Sequence, residues 1–131
     1  MAKESTERSA FDAEWDRCSG WIAAANEYAL GTHTLEDVRD QVLAGEAYFW
    51  PGQRSVVVGE IYRLPRMSVF HFWLCGGDLT ELVETMRPRI EDWARAQGCA
   101  RFTTAGRTGW QRVMARHGYR PLWHICAKDE T

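Results

Sequence analysis

Several things are scarce in this chain, and each scarcity excludes something. No apolar run approaches the ~18 residues that a membrane span needs. The opening MAKESTERSA has no apolar stretch, so no secretory leader is expected and the chain is expected to be cytoplasmic. The four cysteines, Cys18, Cys75, Cys99 and Cys126, are far apart and form no CxxC pair, which argues against zinc-ribbon and thioredoxin-type chemistry. Three of them fall in apolar segments and read as buried thiols. His124 and Cys126 alternate late in the chain without a second ligand pair, so no metal is expected. Lysine is nearly absent: 14 of the 16 cations are Arg. Net charge is only −2, which speaks against a dedicated nucleic-acid binder. There is no internal repeat and no low-complexity tract.

What remains is the composition of a globular domain. The 131 residues fit one domain, with residues 1–8 a polar lead-in and 9–131 the fold. Hydrophobic residues make up 45% and aromatics 12%, with seven Trp, which excludes disorder for all but the ends. Charge is uneven. Residues 1–46 hold ten acidic and four basic residues, whereas residues 47–131 hold eight acidic and twelve basic.

Periodicity gives the elements. Ser9 can cap a helix to about Tyr28, with Phe11, Trp15, Cys18, Ile22, Ala25 and Ala29 stepping by three and four along one stripe. Trp15 and Trp21 lie on different faces of it, so one of them is expected to look away from the core. Thr34 with Asp37 forms a capping box for a short helix that Gly45 closes. The period then changes. Ala47–Trp50, Ser55–Tyr62 and Met67–Cys75 read as strands joined by turns at Pro51–Gln53 and Leu64–Arg66. The third, MSVFHFWLC, is apolar enough to sit centrally, and Gly76-Gly77 is expected to break it. Asp78, with Glu81 at the capping-box position, opens a long helix to Gly98 that Pro88 should kink. Ala100–Thr104 is a fourth strand, Thr108–His117 a helix and Tyr119–Ala127 a fifth strand. The expected fold is α/β: a mixed sheet, an antiparallel meander followed by β-α-β-α-β, with helices on both faces.

From about Leu35 onward, this order resembles the GNAT superfamily of acyl-CoA-dependent N-acyltransferases. The strongest local likeness is IEDWARAQGCARFTTAGRTGWQRVMARHGYRPL, where Trp93-Ala94 to Gly98-Cys99 and then Gly118-Tyr119 match the family's helix, strand, short helix and G-F/Y. The resemblance implies a fold without the family's first strand and without its last. It also implies a loop of the type Q/R-x-x-G-x-G/A holding the pyrophosphate of CoA on backbone N–H groups. Here that loop falls on Asp78–Val83, without glycine, and Asp78, Glu81 and Glu84 bring carboxylates to the same place. Such carboxylates near a dianion cost on the order of 1 kcal/mol per pair. Gly76 and Gly77 just before, with Arg107, are the remaining candidates to hold the cofactor. The family's thiolate-protonating Tyr falls on Met114, and its Asn on Arg107. The chain is also similar to small GNAT-like proteins of bacteriophages, of the T7-like internal-core type, in length, in its ending and in the lost loop.

Among individual residues, Glu60 and His71 are the candidates for a general base, although a lone strand His is more often a satisfied core residue. Trp73, Trp93 and Trp123 fall in core patterns, while Trp21, Trp50 and Trp110 are candidates for an interface. Arg101, Arg107, Arg112, Arg116 and Arg120 crowd the last third, with Arg112 and Arg116 one turn apart. They read either as a phosphate site or as a solvated face pairing with the acidic first third.

These residues lead to an expectation of a pseudoenzyme: a non-catalytic GNAT-fold assembly or interaction protein, phage-encoded and virion-associated, binding no cofactor. Its partners would be its own copies or virion neighbours. The alternative is an acetyl-CoA-dependent N-acyltransferase with an atypical loop. A third is a nucleic-acid-associated module.

Overall fold

The computed structural model describes residues 2–130. Its first element, α1, spans Ala2–Asn26 and so absorbs the polar lead-in that was expected to lie outside the fold. Ala2–Arg8 is built from residues compatible with a helix, and Glu4 in the first turn suits the positive end of the helix dipole. Nothing in this segment gives Ser9 a non-helical turn to cap. Residues 4–10 are exposed, and burial begins at Phe11.

On the stripe read from the sequence, Trp15, Cys18 and Ile22 are buried. Trp21 does not look away: it packs on the margin of the same cluster. The reason lies across the interface. A Cβ on Gly76 would stand 2.5 Å from the Trp21 carbonyl oxygen, so the glycine lets the helix backbone settle onto the sheet. α2, Leu35–Leu43, follows with the expected reciprocal cap: the Thr34 hydroxyl accepts the Asp37 N–H at 3.1 Å, and Asp37 accepts the Thr34 N–H at 2.8 Å.

Four strands form one sheet in the order β1-β2-β3-β4: β1 Tyr48–Pro51, β2 Ser55–Arg63, β3 Ser68–Gly77 and β4 Cys99–Thr104. The first three are antiparallel and β4 runs parallel to β3. β3 is central, as its apolar run requires, but Gly76-Gly77 extends it instead of breaking it, paired with Val56 and Ser55. Close approach explains both glycines: a Cβ on Gly77 would collide with the Arg54 carbonyl. Between Val58, paired with Leu74, and Gly59, paired with Phe72, the register skips Trp73, which forms a bulge in β3. A Cβ on Gly59 would stand 2.2 Å from Cζ at the tip of the Phe70 ring, so a side chain there would collide.

One core lies on each face. α1 and α2 close over Val56, Val58 and Leu74 on one side. On the other, Val57, Phe70 and Phe72 meet the long helical run. That run is continuous but changes form. Glu81–Met86 is π-helical, with the Arg87 N–H bonded to the Leu82 carbonyl, and α3 continues over Arg87–Ala96 with Pro88 in its first turn. The wider turn before Pro88 takes the place of a sharp kink, since a proline ring crowds the carbonyl four residues back. α4, Thr108–Ala115, completes the fold.

The expected fifth strand is absent among the described residues: 119–130 pairs with no strand. Trp123, placed in the core by its sequence pattern, is therefore 69% exposed. The alternation of a strand buries nothing unless another strand lies alongside. No helix of the described residues is long and apolar enough to cross a membrane.

Candidate functional site

The parallel strands part company partway along. β3 is paired with β4 from Ser68 to Phe72, and β3 then runs on to Gly77 while β4 stops at Thr104 and the chain turns away into α4. In open sheets, ligands sit beyond the carboxyl ends of parallel strands, where the chain diverges. The wedge so formed is lined by Val57, Phe72 and Cys75 of the sheet, by Leu82 and Arg87 of the helical run, and by Trp110 and Met114 of α4. Only about 10 Å³ of it is free, room for about one water. Burial pushes the Cys75 thiol up to about 12, so it has no thiolate character at neutral pH. Met114 is buried and has no proton to give. A larger hollow of about 370 Å³ lies elsewhere, between α1 and α2, lined by Asp12, Asp16, Glu36 and Arg39 among others.

The helical run begins beside the wedge, and the Asp78 carboxylate takes one of the N–H groups that an anionic ligand would use. Asp78 accepts the Glu81 N–H at 2.9 Å, which is one half of the expected capping box. The other half is not made, because the Glu81 side chain turns away from the cap. It accepts the backbone N–H of Arg54 at 2.8 Å and the Ser55 hydroxyl, inside the turn between β1 and β2. Arg54 Nη2 stands 3.5 Å from its second oxygen. The carboxylate is only 6% exposed. The Ser55 hydroxyl, the Arg54 N–H and the Arg54 charge all favour its ionised form, and its pKa lies below the ordinary carboxylate value. Gly52 is required here, since a Cβ would strike this carboxylate. From the α1 side, Arg17 donates to the carbonyls of Gly52 at 2.8 Å and Gln53 at 3.1 Å. The turn thus holds an anion of its own chain on its N–H side and a cation on its carbonyl side. Sequence reading put Glu81 at a helix cap and had no signal for Ser55, Arg54 or Arg17 as its surroundings.

The segment after α1 meets the segment before α4. The Arg107 guanidinium lies 4.4 Å from the centre of the Tyr28 ring, and His33 packs edge-on against Trp73 at 4.7 Å. Arg107 is therefore occupied by an aromatic face. Gly76 and Gly77, the other cofactor candidates, serve contacts with Trp21 and Arg54.

Glu60 and His71 do come together. They are register partners across β2 and β3. His71 Nδ1 is 2.9 Å from the Thr103 hydroxyl, while Glu60 accepts the Tyr62 hydroxyl at 2.9 Å. Burial lowers the His71 pKa, and Glu60 opposes this only in part. The imidazole is neutral at pH 7, which leaves a base in a proton-accepting form, held on the sheet face by a threonine.

The residues expected at an interface divide. Trp21 and Trp50 pack on the two cores, and Trp110 donates its Nε1–H to Thr104 at 2.8 Å. All three are half-buried. Arg112 and Arg116 are exposed, as are Arg101, Arg107 and Arg120. No salt bridge joins these five to the acidic first third among the described residues; Arg107 meets that part of the chain through the Tyr28 ring instead.

Among the described residues, no group of three or more His, Cys, Asp or Glu gathers as a metal site. No model of a known protein family matches the sequence, and no curated protein matches it. Solved structures do match in fold. An acetyltransferase of Trypanosoma brucei is 12% identical, with a TM-score of 0.57 over 73% of this chain and 78% of its own. A probable acetyltransferase is 11% identical, with a TM-score of 0.61 over 83% of this chain and 89% of its own. At such identities the likeness establishes a shared fold, the GNAT-like mixed sheet, and nothing finer.

Proposed function

We propose that this chain is a non-catalytic GNAT-fold protein that works by protein–protein contact, as an assembly or interaction component, with a phage virion as the setting its sequence resemblance favours. The observation that carries the reading is the Glu81 carboxylate, sunk into the turn at Arg54 and Ser55. A pyrophosphate needs the helix opening free of negative charge and its N–H groups unspent. Here Asp78 takes the Glu81 N–H, and Glu81 adds a buried negative charge beside it. The wedge that an acyl-thioester arm would enter is packed with Cys75, Trp110 and Met114.

The second reading is an acetyl-CoA-dependent N-acyltransferase with atypical phosphate contacts. The likeness in fold to two acetyltransferases favours it, and so does a neutral His71 beside Glu60. One titration separates the two. A ligand at 100 times its dissociation constant adds about 2.7 kcal/mol of stability. The first reading expects no change in melting temperature with millimolar acetyl-CoA and no heat of binding. A saturable upward shift would replace it with the second.

A further inference from the structure

Arg8, Arg17, Arg39, Arg54, Arg87 and Arg95 each hold a carboxylate of their own chain. After Asp92 the carboxylates stop. No acidic residue occurs before Asp129, over a stretch that carries Arg101, Arg107, Arg112, Arg116, Arg120 and Lys128. Among the described residues, the side chains of Arg112, Arg116 and Arg120 make no hydrogen bond and no ion pair, and all three are exposed. Arg107 differs, since it lies on the Tyr28 ring.

Arg112 and Arg116 stand two positions either side of Met114, about 200° round the helix from it. Met114 is buried against the wedge, so the pair faces solvent. Thr108, Gln111 and Ala115, on the same side of α4, are exposed and uncharged. Cations suit the C-terminal end of a helix, but like charges one turn apart repel. An anion from outside the chain relieves that repulsion.

Trp123 adds a flat apolar surface. It is 69% exposed, and its ring meets no other ring among the described residues. Tyr119 is fixed by its hydroxyl on Glu91 at 2.7 Å and its N–H on the Met114 carbonyl at 3.3 Å. Four residues of chain reach at most about 14 Å, which bounds the distance from Tyr119 to Trp123. The ring therefore belongs to the same end of the molecule as Arg116 and Arg120.

We infer that this end of the molecule binds single-stranded nucleic acid, with Arg112, Arg116 and Arg120 on phosphates and Trp123 stacked on a base. Guanidinium forks match phosphate oxygens two by two and stay charged at neutral pH. An acidic protein would answer the arginines but not the bare indole, whereas every base has a face to lay on it. Duplex bases are already stacked on one another, which selects a single strand. The net charge of −2 does not oppose this. Ten of the acidic residues lie within residues 1–46, and exposed charges more than about 8 Å apart are largely screened at physiological salt. The inference uses neither the wedge nor the Glu81 turn, so it stands or falls apart from the reading above.

Fluorescence anisotropy of labelled oligo(dT), titrated with the full chain at several salt concentrations, tests it. Each phosphate neutralised on a single strand contributes about −0.7 to the slope of log K against log salt, so three arginines give about −2. Arg112→Ser with Arg116→Ser is expected to bring the slope to about −0.7. Trp123→Ala is expected to weaken binding about fivefold or more with the slope unchanged, because stacking releases no counterions. All four side chains are exposed, and circular dichroism verifies that the variants fold. Arg120→Ser alone, expected to reduce the slope by about 0.7, serves if the double variant does not. No binding at low salt overturns the inference, and so does binding that these substitutions leave unchanged. Equal affinity for duplex or for polyglutamate overturns it as well. Displacement of the strand by submillimolar CoA reassigns the arginines to that cofactor and overturns it too.

Discussion

The Glu81 carboxylate accepts the Arg54 backbone N–H at 2.8 Å, tying the first turn of the helical run to the hairpin turn before β2. Its pKa is lowered in the fold, so the unfolded chain binds the proton more readily. The stability it contributes is full above the ordinary carboxylate pKa and is lost as pH falls through the lower folded value. Glu81→Gln is expected to lower the melting temperature at pH 7 and to flatten the decline between pH 5 and pH 3. Thermal scans across that range check both.

His71 gives a second pH dependence in a different window. Burial depresses its folded pKa below the ordinary 6.5, so protons again favour the unfolded chain. Stability from this group is complete above about 6.5 and falls as pH drops below it. Urea midpoints of the wild type are expected to decrease from pH 7.5 to pH 5.5. His71→Gln, which keeps a polar contact with Thr103, is expected to remove most of that slope.

Gly76→Ala is expected to destabilise by about 1–3 kcal/mol, the usual effect of forcing extra volume into a packed site. The added Cβ would stand 2.5 Å from the Trp21 carbonyl oxygen, which is helix backbone and cannot rotate aside. Near-ultraviolet circular dichroism should change with it, because Trp21 must shift. Urea denaturation gives the magnitude.

Tyr119→Phe removes one hydrogen bond, 2.7 Å to Glu91, and leaves the Arg87 pair to that carboxylate at 3.0 Å. A loss of about 1 kcal/mol is expected. Exchange of the amides after Gly118 should quicken, since this contact roots the terminal segment.

Arg112→Ser with Arg116→Ser is expected to change stability by less than about 0.5 kcal/mol, as for surface positions without special contacts. Both side chains are exposed. If the nucleic-acid reading holds, the same pair of substitutions lowers retention of duplex or single strand and reduces its salt dependence. The wild type retained by neither at low salt disposes of that reading.

The sequence by itself determined the element order through α4, because hydrophobic period and capping chemistry are local. Thr34 and Asp37 make the bonds their spacing foretells, the apolar run over Val69–Leu74 is the central strand, and Trp15, Cys18 and Ile22 fall on one buried stripe. Glu60 and His71 were legible as candidates because strand period put each on a face, yet only the register of β2 on β3 made them partners. Whatever depends on a distant partner was decided by the tertiary structure. Gly76 and Gly77 look like a break until α1 and Arg54 are seen against them. Glu81 looks like a cap until Ser55 draws it into the turn. Tyr119–Ala127 has the alternation of a strand, but a strand exists only where a neighbour completes its hydrogen bonds, and within one copy none does.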